Sequence, residues 1–315
     1  MDPDRRKSGP WLERRAVLAG GASVLAAAAL GLAAPARALG RLAAGDGELT
    51  IVSDGFMTLP IGFAYPEVPS TERDEMLAGA GLPTDALKHD CNVTFLRRDD
   101  RLVIFDVGAG ANFLPTTGRL LDNLAEAGIE PADVTDVVFT HAHPDHLWGL
   151  TDEFDELVFA NASYRIGQAE WDFWSSPAAI NAMPEDRKSF AVGAQNRFAA
   201  ISDVVSFFSP GDEILPGVEA VDTTGHTPGH MSFMIHGDGD PVLLAGDAVT
   251  NVVISVERPD WHAGSDQDPV QGARTRMALL DRLAGDKARL VAFHFPHPGG
   301  GTIERKGGGY RFVPA

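Results

Sequence analysis

Short apolar runs recur along the chain from residue 49 onwards. They are rich in Val, Ile, Leu and Phe, are four to six residues long, and are bounded by Gly, Asp or Pro, a pattern that predicts β-strands. The predicted strands cover residues 49–52, 93–97, 102–107, 136–140, 157–160, 163–166, 218–222, 231–236, 242–245 and 289–293. We expect a turn at residues 53–55 and a hairpin that joins the second and third strands.

A different spacing, with apolar residues three and four positions apart, predicts helices between these strands. The predicted helices cover residues 71–80, 119–126, 168–174, 185–201 and 269–283. Two successive half-sets of strands, each closed by helices, fit an α+β fold, a four-layer αββα sandwich in which two sheets lie between helices.

Residues 1–38 differ from the rest of the chain. They combine an early basic group, the pair Arg14 and Arg15, an apolar run at residues 16–32, and a small-residue site that ends at Ala38. This pattern predicts a signal peptide that resembles a twin-arginine export signal, cleaved after Ala38. The alternative is an uncleaved membrane anchor. We expect residues 39–47 to be a linker, residues 48–315 to be the folded domain, and the mature protein to be periplasmic or secreted, without stable membrane association.

Charge excludes one class of partner. The chain has 26 Lys and Arg against 44 Asp and Glu, and removal of residues 1–38 would make the balance more acidic. Nucleic acid is therefore not expected as a partner. The single cysteine, Cys91, can form no disulfide within the chain, and its place at a strand entry favours a buried thiol over a nucleophile.

The stretch from Thr140 to Gly149 carries the clearest chemistry. It places three imidazoles and a carboxylate within six residues, directly after a predicted buried strand: His141, His143, Asp145 and His146. In an extended segment, side chains two residues apart point the same way, so His141 and His143 can hold one ion. Pro144 can open a helical turn that carries the other two. Such a donor set suits Zn²⁺, and also Mn²⁺, Co²⁺ or Fe²⁺. A metal-free polar cluster is the alternative, but its buried charges would be costly.

Three later residues also lie in loops beside predicted strands: His226, Asp247 and His294. Together with the His-x-His-x-Asp-His stretch and the Gly-His-Thr-Pro-Gly-His segment at residues 225–230, they make the chain resemble the metallo-β-lactamase-fold hydrolases. The resemblance assigns His141, His143 and His226 to one divalent ion. It assigns Asp145, His146 and His294 to a second ion, with Asp247 bridging the two. It gives His230 a supporting role. His297 is the weaker choice for the late ligand because it lies past Pro296. His89, His236 and His262 fall outside every motif and are expected to be ordinary polar residues.

Within that superfamily, three features resemble the methyl parathion hydrolase and quorum-quenching lactonase group: Ser53-Asp54-Gly55 in an exported chain, the segment 108–120, and the ending at residues 294–299. That resemblance predicts an apolar substrate-binding wall formed by Phe113, Trp174 and Phe190, although packing in the core is the alternative for aromatic residues. Many lactonases carry a tyrosine three residues after the bridging aspartate, where this chain has Thr250.

The resemblance implies a dinuclear hydrolase that uses a metal-bridging hydroxide to cleave esters, lactones or phosphotriesters with good leaving groups. Asp145 would hold the hydroxide and pass a proton to the leaving group. A small molecule is the expected substrate, and a homodimer is left open. The alternatives are a mononuclear-iron persulfide dioxygenase, a β-lactamase, and a binding module that uses the metal only as a scaffold. β-Lactamases with a zinc cysteine carry a thiolate at the position where this chain has Asp247. A β-lactamase function is therefore disfavoured.

Overall fold

The computed structural model describes residues 39–315, and the predicted signal segment lies outside them. Strands β1–β7 form one sheet in sequence order. Their bounds are Leu39–Ala44, Gly47–Pro60, Ala86–Arg98, Arg101–Phe105, Asp136–Phe139, Ser163–Gly167 and Val205–Phe208. Strands β1 to β4 pair antiparallel, and β4 to β7 pair parallel.

A second sheet contains β8–β14, in the order β14-β13-β12-β11-β10-β9-β8. The bounds of β8–β14 are Glu213–Leu215, Val218–Asp222, Met231–Ile235, Val242–Leu244, Arg289–Val291, Gly300–Lys306 and Gly309–Pro314. Only β11 and β12 pair parallel, with α9 as the helical crossover between them. A helix is the usual connection between parallel neighbours.

Helices α1–α9 occupy Ile61–Ala64, Ser70–Gly79, Leu120–Ala127, Pro144–Leu147, Gln168–Ser175, Ala179–Ala182, Lys188–Ile201, Ile254–Glu257 and Pro269–Asp286. Short 3₁₀ turns lie at Pro131–Asp133, Trp148–Leu150, Glu185–Arg187 and Gly246–Ala248. Among residues 39–315, no helix is both long and apolar enough to span a membrane.

The central strands are apolar on both faces, because each sheet is covered on both sides. In β5, Val137 and Phe139 pack in the cluster that contains the helical residues Leu124 and Phe198, while Val138 packs with Phe233 of the other sheet. In β11, Leu243 instead joins a cluster with residues of α9. Successive strand residues point to opposite faces. The three resulting cores separate four layers, which confirms the predicted αββα sandwich.

Two local predictions near the start of the domain are wrong. Residues 39–44, expected to be linker, form edge strand β1, which pairs with β2 from Leu39 opposite Val52 to Ala44 opposite Gly47. The expected turn at residues 53–55 is an irregularity within the continuous strand β2. There Asp54 accepts backbone hydrogen bonds from Ala109 and Leu120, which tie the strand to the next loop.

Other differences concern short or edge elements. Residues 157–160 form turns after an isolated bridge between Thr151 and Leu157, and not the predicted strand. Strands β7 and β8 and the terminal hairpin of β13 and β14 were not predicted. Their burial is partial, and β8, β13 and β14 lack the apolar runs that mark the central strands. β7 has an apolar sequence, VSFF, that was not recognised as a strand.

Candidate metal centre

All seven predicted ligands meet at one edge of the sandwich. His141 and His143 follow β5, and His146 lies in the short helix α4. The second sheet supplies His226 from the loop between β9 and β10, Asp247 after β11, and His294 after β12. All seven side chains are buried, with at most 7% exposure. The candidate centre is therefore assembled from loops of both sheets.

The first three histidines form a compact group. The Nδ1 of His143 lies 3.1 Å from the Nε2 of His141 and 2.9 Å from the Nε2 of His226. Their rings meet edge to face. Three imidazole nitrogens at this separation can face one common point, as three ligands of a single cation do.

The second group surrounds two carboxylates. Asp145 Oδ2 lies 3.3 Å from the Nε2 atoms of both His146 and His294. Asp247 reaches both groups, because its Oδ1 lies 3.1 Å from His146 Nε2 and its Oδ2 lies 3.3 Å from His226 Nε2 and 3.0 Å from His294 Nε2. The position of Asp247 between the groups is the one that a bridging carboxylate requires.

The hydrogen bonding of the donor atoms shows that the cluster fits a metal ion. Three buried polar atoms of the cluster have no hydrogen-bond partner among the described residues: Asp145 Oδ2, His146 Nε2 and Asp247 Oδ1. Leaving such atoms unpaired inside a protein is costly. A set of imidazole nitrogens and carboxylate oxygens suits Zn²⁺ and other divalent first-row ions.

Electrostatics also favour a cation. Burial lowers the pKa of His141 and His143 well below the ordinary value, which keeps their rings neutral with a lone pair available. Burial opposes charge on His146 and His294 too, yet the nearby carboxylates Asp247 and Asp145 raise the pKa of both rings well above the usual range. The carboxylates thus attract positive charge strongly at the centre of the cluster.

The other ring nitrogen of four histidines is fixed by an acceptor. The Nδ1 of His146 donates to Asp106 at 2.7 Å, and the Nδ1 of His226 donates to Asp266 at 3.0 Å. The Nδ1 of His141 donates to the Thr140 hydroxyl, and the Nδ1 of His294 donates to the Asp90 carbonyl. These bonds orient the rings and direct each Nε2 to the centre, as the outer partners of metal-binding histidines do.

Glu170 ties the two halves of the site together. This buried carboxylate of α5 accepts a hydrogen bond from the backbone of Ala142, between the first two histidines, at 2.9 Å. It also accepts bonds from the Thr227 hydroxyl at 2.7 Å and the Gly229 backbone at 3.0 Å, in the loop of His226. Trp174 Nε1 donates a fourth bond at 2.6 Å. One side chain therefore sets the relative position of two ligand loops.

A cavity of about 390 Å³ opens over the cluster. Five of the seven ligands contribute to its floor: His143, Asp145, His226, Asp247 and His294. Its walls include Met57, Leu59, Phe63, Phe113, Leu114 and Phe190. An apolar pocket with a few polar groups is the usual form of a small-molecule site.

Two of the three aromatic residues expected in the wall lie there. The rings of Phe113 and Phe190 are 6.0 Å apart, and Phe190 also packs against His143. Trp174 does not line the cavity: its side chain is fully buried, and its ring packs behind His143. The prediction for Trp174 is therefore wrong, because a core position beside the site gives the same aromatic pattern as a wall position.

Several residues of the site were missed by sequence reasoning. Asp106 directly follows a strand, which is a weak local signal, but Glu170 and Asp266 stand outside any motif. The wall residues Met57, Leu59 and Phe63 lie in a Pro- and Gly-rich region without readable pattern. His89, expected to be an ordinary polar residue, is buried and lines the cavity.

The remaining predicted features agree with the structure. His230 holds the Asp247 backbone, since its Nε2 accepts from Asp247 N at 2.9 Å. His236 and His262 are more exposed than the residues of the cluster. His236 contacts Glu219, and His262 contacts Glu67. Burial raises the pKa of the Cys91 thiol to about 12, although its sulfur lies within 4.8 Å of ligand atoms of Asp145 and His294.

Truncation of Phe190 tests the wall directly. We expect Phe190→Ala to lower kcat/KM for bulky substrates by roughly ten- to a hundredfold, because burial of one large apolar side chain is worth about 1.5–3 kcal/mol. Small aliphatic esters should lose much less. Val192→Ala, an exposed position on the same helix, is the control. Equal losses for large and small substrates would show that Phe190 only supports the fold.

Comparison with known families agrees with this geometry. The profile of the Metallo-beta-lactamase superfamily matches residues 87–294. An N-acyl homoserine lactonase of a Bacillus species is 27% identical over 181 residues, which is 56% of this chain and 60% of the relative. The N-acyl homoserine lactonase AttM of Azorhizobium caulinodans is 30% identical over 175 residues, 54% of this chain and 61% of the relative. The matches thus span about three fifths of these relatives.

Solved structures extend the similarity over most of the chain. AidC, described as a dizinc quorum-quenching lactonase in complex with a product, has a TM-score of 0.83 and 28% identity, over 88% of this chain and 97% of its own. The hydrolase AbOPH has a TM-score of 0.82 with the same coverage, but its 24% identity supports likeness of fold alone.

Proposed function

Because this chain belongs to the metallo-beta-lactamase superfamily, we propose that it is a dinuclear metal-dependent hydrolase that opens lactones and cleaves related esters. The observation that carries the proposal is the cluster of seven buried ligands with three unpaired atoms, set in the floor of an apolar cavity. The lactonase relatives and the dizinc neighbour AidC support the choice of substrate and metal.

Two divalent ions, with Zn²⁺ as the favoured metal, would be held by the two groups of ligands. His141, His143 and His226 would hold one ion. Asp145, His146 and His294 would hold the other, and Asp247 would contact both. When bound, such ions activate a water molecule at neutral pH and polarise the carbonyl oxygen of a substrate.

The protein's own groups supply orientation and a proton route. Asp145 lines the cavity and is placed to accept a hydrogen bond from the attacking water. In the hydrolysis, the water oxygen bonds to the carbonyl carbon, the ring C–O bond breaks, and the leaving oxygen takes up the proton. We assign the transfer of that proton to Asp145, as a general base and then a general acid.

The apolar wall would bind the hydrocarbon part of the substrate. Phe113 and Phe190 form one side, with Met57 and Leu59 on the same cavity. This lining excludes water from the acyl portion and strengthens polar contacts near the floor. The apolar lining and the lactonase relatives together support our choice of a lactone with an apolar side chain as the substrate class.

The proposal is tested with metal-reconstituted protein and a panel of a γ-lactone, a p-nitrophenyl ester, an aryl phosphotriester and a β-lactam. We expect two ions per chain and the highest kcat/KM for the lactone. One iron per chain with no hydrolysis would support a dioxygenase. A preference for the phosphotriester or the β-lactam would overturn the choice of substrate class.

We also propose that the protein is exported in the folded state, with residues 1–38 removed. The support is the Arg14-Arg15 pair, the apolar run and the small-residue site at Ala38. Replacement of both arginines by lysine should leave precursor in the cytoplasm, as detected by fractionation and immunoblotting. Normal processing of the double variant would contradict twin-arginine export.

A further inference from the structure

Arg187 is a charged group that the proposed hydrolysis does not use. It lies in the 3₁₀ turn just before α7 and lines the cavity over the metal centre. Among the residues of the described chain that line this cavity, it is the only lysine or arginine. It also lines a neighbouring cavity of about 560 Å³ beside the loop of His226. Because a guanidinium stays protonated in proteins, a permanent positive charge stands at the edge of the proposed substrate pocket.

The guanidinium of Arg187 is held against an aromatic wall residue, with its donors accessible. Its Cζ lies 5.6 Å from the centre of the Phe63 ring, within the range of a cation–π contact. Nε is enclosed and makes no hydrogen bond within residues 39–315, whereas the two terminal nitrogens keep exposed surface. Those nitrogens carry most of the N–H donors of the side chain. The end of the side chain that can bind a ligand is therefore the accessible end.

The acidic side chains near Arg187 have other partners or point to solvent. Glu185, in the same turn, lies 2.6 Å from the Nζ of Lys188. Asp266, in the neighbouring cavity, accepts hydrogen bonds from two other side chains. Asp186 also lines the cavity over the metal centre, but it is exposed and forms no ion pair with Arg187 in the part of the chain that the structure describes. The positive charge of Arg187 can therefore pair with a ligand.

The position of Arg187 decides which part of a substrate it can reach. Phe190 follows it by three residues, and the Phe190 ring packs against His143 with centroids 5.9 Å apart. Residues three apart on a helix are roughly 5–6 Å from each other on one face. Within residues 39–315, Arg187 forms no ion pair with Asp145 or Asp247 of the cavity floor. Arg187 is thus placed to contact a part of the substrate that is separated from the reacting carbonyl by the apolar wall.

We propose that Arg187 binds a carboxylate at the far end of the substrate's hydrocarbon chain, so that the site prefers esters and lactones whose apolar chain ends in an anionic group. This inference rests on the proposed hydrolase function and specifies its substrate class. The planar fork of a guanidinium matches the two oxygens of a carboxylate and can bind both at once. The methylene groups of the chain would pack along Phe113 and Phe190, while the reacting carbonyl lies at the floor.

The experiment compares esters that differ in one charged group. Mono-p-nitrophenyl esters of adipic, suberic and sebacic acid carry a free carboxylate, and the matched esters carry a primary carboxamide of nearly the same shape. At the best chain length, we expect the metal-loaded wild-type protein to have about tenfold higher kcat/KM for the carboxylate, mainly through a lower KM, because hydrogen bonds between charged groups are stronger than neutral ones. Added salt should reduce this ratio, since Arg187 is only half-buried. Release of p-nitrophenolate measures both reactions.

Arg187→Met removes the charge and keeps an unbranched side chain. In this variant the ratio of the two kcat/KM values should fall to near one, and Arg187→Lys, which keeps the charge without the fork, should give an intermediate ratio. Lys188→Met is the matched control, because it removes the same charge from a residue that lines neither cavity, and it should keep the ratio. Calorimetric titration with the corresponding p-nitroanilides, which are poor substrates, measures the preference without turnover. If Arg187→Met does not fold, Arg187→Lys and this titration decide the matter.

The outcomes separate this inference from the proposed function. Equal wild-type kcat/KM for the carboxylate and the carboxamide would overturn the role of Arg187 and leave the hydrolase function standing. A ratio that persists in Arg187→Met would place the carboxylate at another residue and would also overturn the inference. Failure of the wild-type protein to hydrolyse any ester or lactone would overturn the proposed function, and the anilide titration would then show by itself whether Arg187 binds a carboxylate.

Discussion

Replacement of Asp247 by alanine should remove at least one of the two metal ions and lower kcat/KM by about a thousandfold. Asp247 is the only one of the described ligands whose two oxygens approach histidines of both groups, at 3.0–3.3 Å. Without it, two cations would lie close together with less negative charge between them. Stabilisation of charge by bound metal is worth several kcal/mol of the reaction barrier, and each 1.36 kcal/mol is about tenfold in rate.

Elemental analysis after reconstitution and dialysis measures the first effect, and steady-state kinetics the second. Asp240→Ala is a suitable control, because Asp240 is an exposed aspartate in the loop just before β11. It should keep both ions and full activity. If Asp247→Ala retained double occupancy, the bridging role would have to be abandoned.

Replacement of Glu170 by alanine should destabilise the protein and weaken metal binding together. The change leaves four buried donors without their acceptor: the Ala142 and Gly229 backbone N–H groups, the Thr227 hydroxyl and the Trp174 indole. An unpaired buried donor costs about 1–3 kcal/mol, so a loss of about 4 kcal/mol is expected. For a chain of this size that lowers Tm by roughly 10 °C.

Metal affinity should fall by about ten- to a hundredfold, as when outer partners of metal ligands are removed. Calorimetry of the metal-free protein and competition with a chelator separate the two effects. Asp172→Ala, which removes an exposed carboxylate from the same helix, should change neither. Unchanged Tm and affinity in Glu170→Ala would show that the ligand loops hold their positions without this carboxylate.

The seven residues of the candidate metal centre could be predicted from the sequence because each lies in a short motif beside an apolar strand. Only a few residues separate His141, His143, Asp145 and His146. A short stretch of sequence is therefore enough to predict that they bind a metal together. Glu170 lies 28 residues from one partner and 57 from another, with no recurring spacing among them. Only the folded chain brings these groups together, and the same holds for His89.

The errors have related physical causes. Trp174 was assigned to the cavity wall because aromatic density marks both pockets and cores, and only burial distinguishes them. The central strands were predicted well because they are buried on both faces and give continuous apolar runs. Edge strand β1 and the terminal hairpin, β13 and β14, are partly exposed, so their sequences contain no continuous apolar run. Their pairing depends on neighbours already in place.

Because the predicted ligands are divided between the two sheets, the stability of the sandwich should depend on the concentration of free metal. Asp145 and His146 lie in α4, just after β5 of the first sheet, while Asp247 and His294 lie just after β11 and β12 of the second. Bound ions would therefore act as a reversible cross-link between the two halves. Ligands that bind only the folded state add to its stability according to their free concentration, by about 2.7 kcal/mol at a hundred times Kd. Where the divalent metal is scarce, the same chain would have a shorter lifetime against proteolysis.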